Sequence, residues 1–332
     1  MIKKLLNNRF LTLYVAPFII GSLSTLSFEP FNFTIINFLI ISIFFYLTIY
    51  INKKSKTSYR KKPYKINLFV FGLLFGFGFY LSGLSWITNA LTFDENFKIL
   101  IPFALFFIPL FLSLFIALTI LFVAPYLKLN LVSLFLFSGA LALSDYLRSK
   151  LFTGFPWNLW AYSTSWAVEI IQSVNVIGLY AFNLIVITIF SLPAVFFFRI
   201  ALIKKGLNFV FIGLLILAFY LYGNYEINKN KNLLGEIDKK IFVKIISPNF
   251  DLTYNLAEKQ IEDRFKKLIR YSNPDKDKKT LFIWPEGVFS GYSYDEILFF
   301  KKMISNSFSQ NHYIIFGSNE LDPSTGSFYN SM

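Results

Sequence analysis

Apolar residues come in long unbroken runs along the first two-thirds of this chain. The runs cover about 10–27, 31–51, 66–91, 99–125, 130–147, 169–198 and 207–223. A helix crosses a bilayer with about 20 such residues, so the pattern predicts a polytopic α-helical membrane domain of about seven spans. Pro17, Pro102, Pro109 and Pro193 fall inside the runs, where membrane helices tolerate them as kinks. The run 169–198 reads either as one tilted span or as a span plus an interfacial piece. The start is basic, with Lys3, Lys4 and Arg9, and then apolar, like a signal peptide. No small-residue cleavage site closes it, which favours an uncleaved first span.

From Ile241 the alternation is that of a water-soluble domain. Residues 241–247 read as a strand that ends at Pro248-Asn249. Residues 255–271 read as an amphipathic helix, with Leu256, Ile261, Phe265, Leu268 and Ile269 on one face. A polar turn follows, then a strand at 280–284, a helix at 295–308 and a third strand at 313–317. Alternating strands and helices predict an α/β domain. The division is therefore 1–223 membrane domain, 224–240 linker and 241–332 extramembrane domain.

Composition sharpens this picture. Of the 332 residues, 55% are hydrophobic and 15% charged, against roughly 25% charged in soluble proteins. The net charge of +13 would suit nucleic acid if the cations were clustered. They lie in short loops between apolar runs instead, so no nucleic-acid partner is expected. With the N-terminus cytoplasmic, inside segments hold Lys3, Lys4, Arg9, Lys53, Lys54, Lys56, Arg60, Lys61, Lys62, Lys65, Lys128, Arg199, Lys204 and Lys205; outside loops hold Lys98, Arg148 and Lys150. That asymmetry sets the orientation. Seven spans then place everything after Gly223 outside, in a periplasm where the cell has two membranes. The chain has no cysteine and one histidine, which excludes disulfides, thiolate or histidine-rich metal sites and a cysteine nucleophile within these residues. No metal and no cofactor is expected.

Two stretches carry candidate chemistry. Residues 148–160 contain Trp157 and Trp160 at an apolar–polar boundary, with Gly154 and Pro156 breaking any helix. The tryptophans read either as interfacial anchors or as a wall of a lipid-facing cavity. Asp145, Glu169 and Glu29 flank this region and its neighbouring turn, and all three read as solvated at the interface. The second stretch is Trp284-Pro285-Glu286, at the exit of the strand 280–284. In α/β folds functional groups gather at strand carboxyl ends, and Asn249 holds the equivalent place after the first strand. Asn330 is a further candidate beside them. Glu286 reads equally as a general base or as a turn cap. His312 reads as a surface residue in a polar turn.

The chain resembles the bacterial apolipoprotein N-acyltransferases, membrane members of the nitrilase (carbon–nitrogen hydrolase) superfamily. The resemblance rests on Leu26-Ser27-Phe28-Glu29-Pro30-Phe31, Gly76-Phe77-Gly78-Phe79 through Ser85-Trp86-Ile87, Asp145-Tyr146-Leu147-Arg148, Leu151 through Trp157, Pro248-Asn249, Ile283-Trp284-Pro285-Glu286 and Tyr329-Asn330-Ser331. It implies an α-β-β-α sandwich, of which 241–332 is the incomplete start. It also implies a reaction: an acyl chain passes from a membrane phospholipid, through a cysteine thioester, to the α-amino group of the diacylglyceryl-cysteine of an apolipoprotein. Glu286 matches the family's glutamate, the general base. The family's lysine and cysteine lie downstream of Tyr329-Asn330-Ser331. The expectation is therefore a truncated N-terminal portion, inactive alone, on the inner membrane with its nitrilase-like part periplasmic. Candidate substrate contacts are Asn249, Tyr254, Trp284 and Trp157. Tyr254 stands near the place where many members carry a tryptophan, with a shorter gap. The alternatives are a membrane transporter, which would show repeats and ionisable groups in span centres, or a lipid- or lipoprotein-binding protein without catalysis.

Overall fold

The computed structural model describes residues 8–331 apart from 58, 60–63, 94, 153, 200, 236–240, 251–255, 290–291 and 323. The chain separates into two compact units, Met1–Asn232 and Leu233–Met332.

The first unit is helical: α1 (Ala16–Ser24), α2 (Ile35–Thr57), α3 (Lys65–Leu84), α4 (Ile101–Val123), α5 (Leu131–Arg148), α6 (Leu179–Ser191) and α7 (Leu202–Gly235). Several continue as 3₁₀ turns, as α3 does through Ser85–Thr92. Among the described residues, six helices rather than seven are long and apolar enough to cross a membrane. The exception is the first run, a shorter apolar helix over Leu11–Ser27. Its end is polar for a structural reason. Ser24 Oγ donates to Asn37 Oδ1 at 2.6 Å, and Asn37 Nδ2 donates to Ser27 Oγ at 2.6 Å. These buried groups tie α1 to α2. The long run 169–198 resolves into a span plus a separate piece. Two short turns, Val168–Ile171 and Val174–Ile177, end at Gly178, whose φ of +79° breaks the helix before α6 begins. Residues 224–235, expected as the start of a linker, continue α7.

Glycines set how closely these helices pack. A Cβ on Gly72 would lie 2.9 Å from Ala117 Cα, and one on Gly76 would lie 2.8 Å from Ser113 Cβ. Gly72 and Gly76 thus form a small-xxx-small seam of α3 against α4, the arrangement that lets membrane helices approach closely. Gly21 and Gly78 do the same between α1 and α3, where a Cβ would come within 2.1 Å of the Phe75 carbonyl oxygen and 2.2 Å of that of Phe18. Phenylalanines fill the interior, including Phe44, Phe71, Phe75, Phe79 and Phe137. Outward positions such as Phe103, Phe107, Phe211 and Leu214 are exposed and apolar, as a surface meeting lipid tails would be.

In the second unit β1 (Phe242–Ile245), β2 (Thr280–Ile283) and β3 (His312–Ile315) form a parallel sheet in the order β1-β2-β3. Phe242 pairs with Thr280, and Thr280 with His312. Helix α8 (Glu258–Ser272) is amphipathic and buries Ile261, Phe265 and Leu268. The helix expected at 295–308 is two pieces, α9 (Tyr294–Leu298) and α10 (Lys301–Ser307). A hairpin of β4 (Ser318–Leu321) and β5 (Phe328–Ser331) follows. His312 is not a free surface residue. It opens β3, packs edge-on to Phe282 and Phe308, accepts from Ser309 N–H through Nδ1 at 3.0 Å and meets the Asp275 carbonyl through Nε2 at 2.8 Å.

Candidate functional site

The parallel arrangement brings the carboxyl ends of three strands to one edge. After β2, Trp284 N–H still donates to the Ile315 carbonyl at 2.9 Å. Pro285 has no N–H, so the ladder stops there, and Glu286 emerges on a turn with its side chain exposed. Beyond β1, Asn249 sits at φ +49° and is exposed. Beyond β3, Gly317 passes beside Glu286: a Cβ there would lie 3.5 Å from Glu286 Cγ. Trp284, by contrast, is buried, packs edge-on to Phe265 and Phe289 and tilted against Phe316, and donates from Nε1 to Ser272 Oγ at 3.0 Å. It anchors the turn from below and has no free face. Asn330 lies in β5 opposite Asn319. Tyr254 lies outside the described residues.

Arg264 carries part of this edge and gave no signal beyond being one more charge on an amphipathic helix. It is buried on α8 and donates from Nη1 to the Val288 carbonyl at 2.7 Å, two residues past Glu286. Its guanidinium also covers the Phe250 ring at 4.9 Å, next to Asn249. One cation therefore braces both loops. Farther along, Glu296 accepts from the backbone N–H of Ser293 at 2.7 Å and from its hydroxyl at 2.9 Å. These bonds, the backbone one first, hold its carboxyl below the usual glutamate range.

In the membrane unit, one end of the bundle holds a cavity of about 790 Å³. The turn after α1 contributes Phe28, Glu29 and Phe31; the end of α3 contributes Gly83 and Trp86; the loop after α5 contributes Pro156, Trp157 and Asn158. Trp86 and Trp157 meet edge-on at 5.5 Å. Gly83 leaves room for Asn158, whose amide nitrogen a Cβ would meet at 2.2 Å and displace. Trp157 is thus a cavity wall. Trp160 is neither anchor nor wall but core, stacked on Phe79 at 4.8 Å.

A buried polar frame holds that loop, and it corrects the reading of Asp145 as solvated. Asp145 and Arg148 are both buried and pair at 3.1 Å. Arg148 Nη1 also donates to the carbonyls of Phe155 and, at 2.8 Å, Trp157. Its guanidinium faces the Tyr80 ring at 5.3 Å. Asn183 on α6 donates to Asp145 Oδ2 at 2.9 Å and accepts from Ala161 N–H at 2.9 Å. Arg148, which reads in sequence as a topology charge, is a fastener for the cavity wall. The spacing Asp145 to Arg148, one turn apart on an apolar helix, is the signal that could have found it.

Residues 20–192, just over half of the chain, match the family model for the apolipoprotein N-acyltransferase N-terminal domain. The chain belongs to the apolipoprotein N-acyltransferase family. It is 29% identical over 287 residues to the apolipoprotein N-acyltransferase of Rhodopseudomonas palustris, covering 81% of this chain and 50% of the relative. The protein of that name from Brucella melitensis is 27% identical over 282 residues, 82% of this chain and 51% of the relative. That from Rickettsia bellii is 29% identical over 224 residues, 65% and 42%. The chain spans about half the length of the curated relatives it matches. Every residue that lines the membrane cavity falls within the family-matched region, and Glu286 and Asn249 lie beyond it.

Proposed function

We propose that this chain supplies the membrane unit and the general base of an acyltransferase that matures lipoproteins. Its donor is a membrane phospholipid and its acceptor the free α-amino group of an apolipoprotein's diacylglyceryl-cysteine. Family membership carries this reading. An exposed carboxylate at the joined ends of parallel strands supports it, because such an edge is where α/β folds assemble chemistry. In this reading Glu286 takes the proton from a thiol as it attacks the phospholipid ester and passes it to the departing lysophospholipid oxygen; it then takes a proton from the acceptor amine as it attacks the thioester and returns it to the departing thiolate. Asn249 and the backbone at Gly317 border the reacting groups, and Arg264 keeps both loops in place.

The 332 residues contain no cysteine, so by themselves they form no thioester. The chain alone, in micelles with radiolabelled phospholipid and a diacylglyceryl-cysteine peptide, is expected to transfer no label. Any transfer above a protein-free blank refutes the assigned roles. In the same reading the protein sits in the bacterial inner membrane, with its N-terminus cytoplasmic and the second unit periplasmic. The absence of native cysteine makes this simple to test. In spheroplasts, a membrane-impermeant maleimide should label Lys276→Cys and spare Lys53→Cys, and the reverse pattern rejects the orientation.

A further inference from the structure

A second recess lies at the opposite end of the membrane unit, against the last turns of α2. The helix rises roughly 27 Å between Ile35 and Lys53, so this recess is far from the cavity that holds Glu29. Tyr46, Tyr50, Lys53 and Thr57 fall on one stripe of α2; Lys54 beside them and Leu129, from the loop between α4 and α5, complete the wall. The space is about 370 Å³, enough for one small head group. Its floor is aromatic. Tyr46 packs against Phe197 at 4.6 Å, and the Tyr50 ring stacks beside it at 6.4 Å. Lys54 Nζ stands over the Tyr50 ring at 5.6 Å, so that ammonium is already placed. Lys53 is exposed at the rim and, among the described residues, enters no ion pair. The segments 124–126 and 192–197 pack against α2 at this end. No aspartate or glutamate occurs in 46–65, 124–131 or 192–209.

We infer that this recess holds the phosphate of an anionic lipid in the leaflet at this end of the bundle, as a bound neighbour and not as a reactant. The bias of cations toward loops on one side of a membrane accounts for lysines in water. It does not require two of them on the rim of an aromatic recess, in segments that contain no acid. Adjacent ammoniums repel one another, and a phosphate between them replaces that repulsion with charge-assisted hydrogen bonds. Basic residues at the end of a span attract anionic head groups for the same reason. A zwitterionic head group would bring a further ammonium to the rim, and an uncharged one would gain nothing from either lysine. Leu129 and the tyrosine rings offer apolar surface to the upper acyl carbons, which commits the site to a lipid and not to a free phosphate ester.

Under the proposed orientation this leaflet is the cytoplasmic one, but the binding itself depends on neither orientation nor acyl transfer. Failure of the inference therefore leaves the transferase reading intact, and failure of that reading leaves the recess unchanged.

Native mass spectrometry of the delipidated full chain, released from dodecyl maltoside micelles, tests the inference. The ligands are dioleoyl-phosphatidylglycerol, dioleoyl-phosphatidylcholine and glycerol 3-phosphate. Phosphatidylglycerol should bind about tenfold more tightly than phosphatidylcholine, and equimolar glycerol 3-phosphate should not displace it. The double variant Lys53→Gln with Lys54→Gln should lose the preference. Leu129→Trp fills the recess at constant charge and should lose it too. Lys56→Gln with Lys65→Gln removes the same charge at the same end but outside the lining, and should keep it. Equal affinity for the two lipids, equal losses in both lysine pairs, or a preference that survives Leu129→Trp overturns the inference. Glycerol 3-phosphate that binds as tightly as the lipid overturns the assignment to lipid. Melting temperatures verify folding; if the Lys53 and Lys54 variant does not fold, Leu129→Trp and the Lys56 and Lys65 variant decide the matter.

Discussion

Among the described residues, the membrane unit alone buries both partners of an ion pair. In the membrane unit Asp145 and Arg148 are buried together and fasten a loop to a helix. In the second unit the ion pairs Lys266–Glu262 and Lys278–Asp275 lie at the surface, and packing rests on Phe265, Phe282 and Trp284. The difference follows from solvent. Where lipid surrounds a bundle, apolar side chains gain nothing by leaving it for one another, so small residues and polar fasteners decide which faces meet. Where water surrounds a fold, burial of apolar faces does that work and surface pairs contribute little.

The largest effect expected from breaking this contrast is at the buried pair. Arg148→Ala leaves the buried Asp145 carboxylate with Asn183 but without its countercharge and should cost about 3–5 kcal/mol, read as loss of thermal stability in nanodiscs. The double replacement Asp145→Leu with Arg148→Met should recover much of that stability while releasing the loop at Phe155 and Trp157. Trp157 emission would report the release in a background where the other four tryptophans are phenylalanine. Phe265→Ala should cost a similar amount, about 3–5 kcal/mol, by opening a cavity. Hydrogen exchange should show that loss in the second unit. Lys266→Ala, at an exposed pair, should leave the melting temperature unchanged.

A smaller effect is expected at the helix seam. Gly76→Val forces α3 away from Ser113 and should cost about 1–3 kcal/mol through overpacking, measured by the same melt. The smallest is a pH effect at the start of α9. Glu296 has a folded pKa below its unfolded value, so its contribution is present above about pH 4.3 and is lost as pH falls through the lower folded value. Amide protection factors at Glu296 and Ile297 should fall on acidification, and Ser293→Ala should remove most of that pH dependence.

The same contrast explains what was legible in the sequence. The second unit was read nearly element by element: strands expected at 241–247, 280–284 and 313–317 stand at Phe242–Ile245, Thr280–Ile283 and His312–Ile315. Alternation and helical spacing record which face meets water, and that suffices for a soluble layer. In the membrane unit the runs gave the helices but not their partners, because both faces of a span are apolar. Gly72, Gly76 and Gly78 decided the packing, yet in sequence they are only small residues in a greasy run. Asp145 was placed at an interface because a lone carboxylate near a span end can reach water; its pairing with Arg148, Asn183 and the loop is tertiary. At the strand edge, Glu286 and Asn249 were legible from position. Arg264 was not, since nothing marks a buried arginine among the exposed charges of α8.

The most direct test of the account joins this chain to the part that its relatives carry beyond it. The chain would be fused to the C-terminal half of the Rhodopseudomonas palustris relative and reconstituted with labelled phospholipid and a diacylglyceryl-cysteine peptide. Transfer to the peptide amine is expected, with Glu286→Gln lowering the rate by at least about 100-fold at unchanged stability. A fusion that transfers label equally well with and without Glu286 would contradict the assignment of Glu286 as general base.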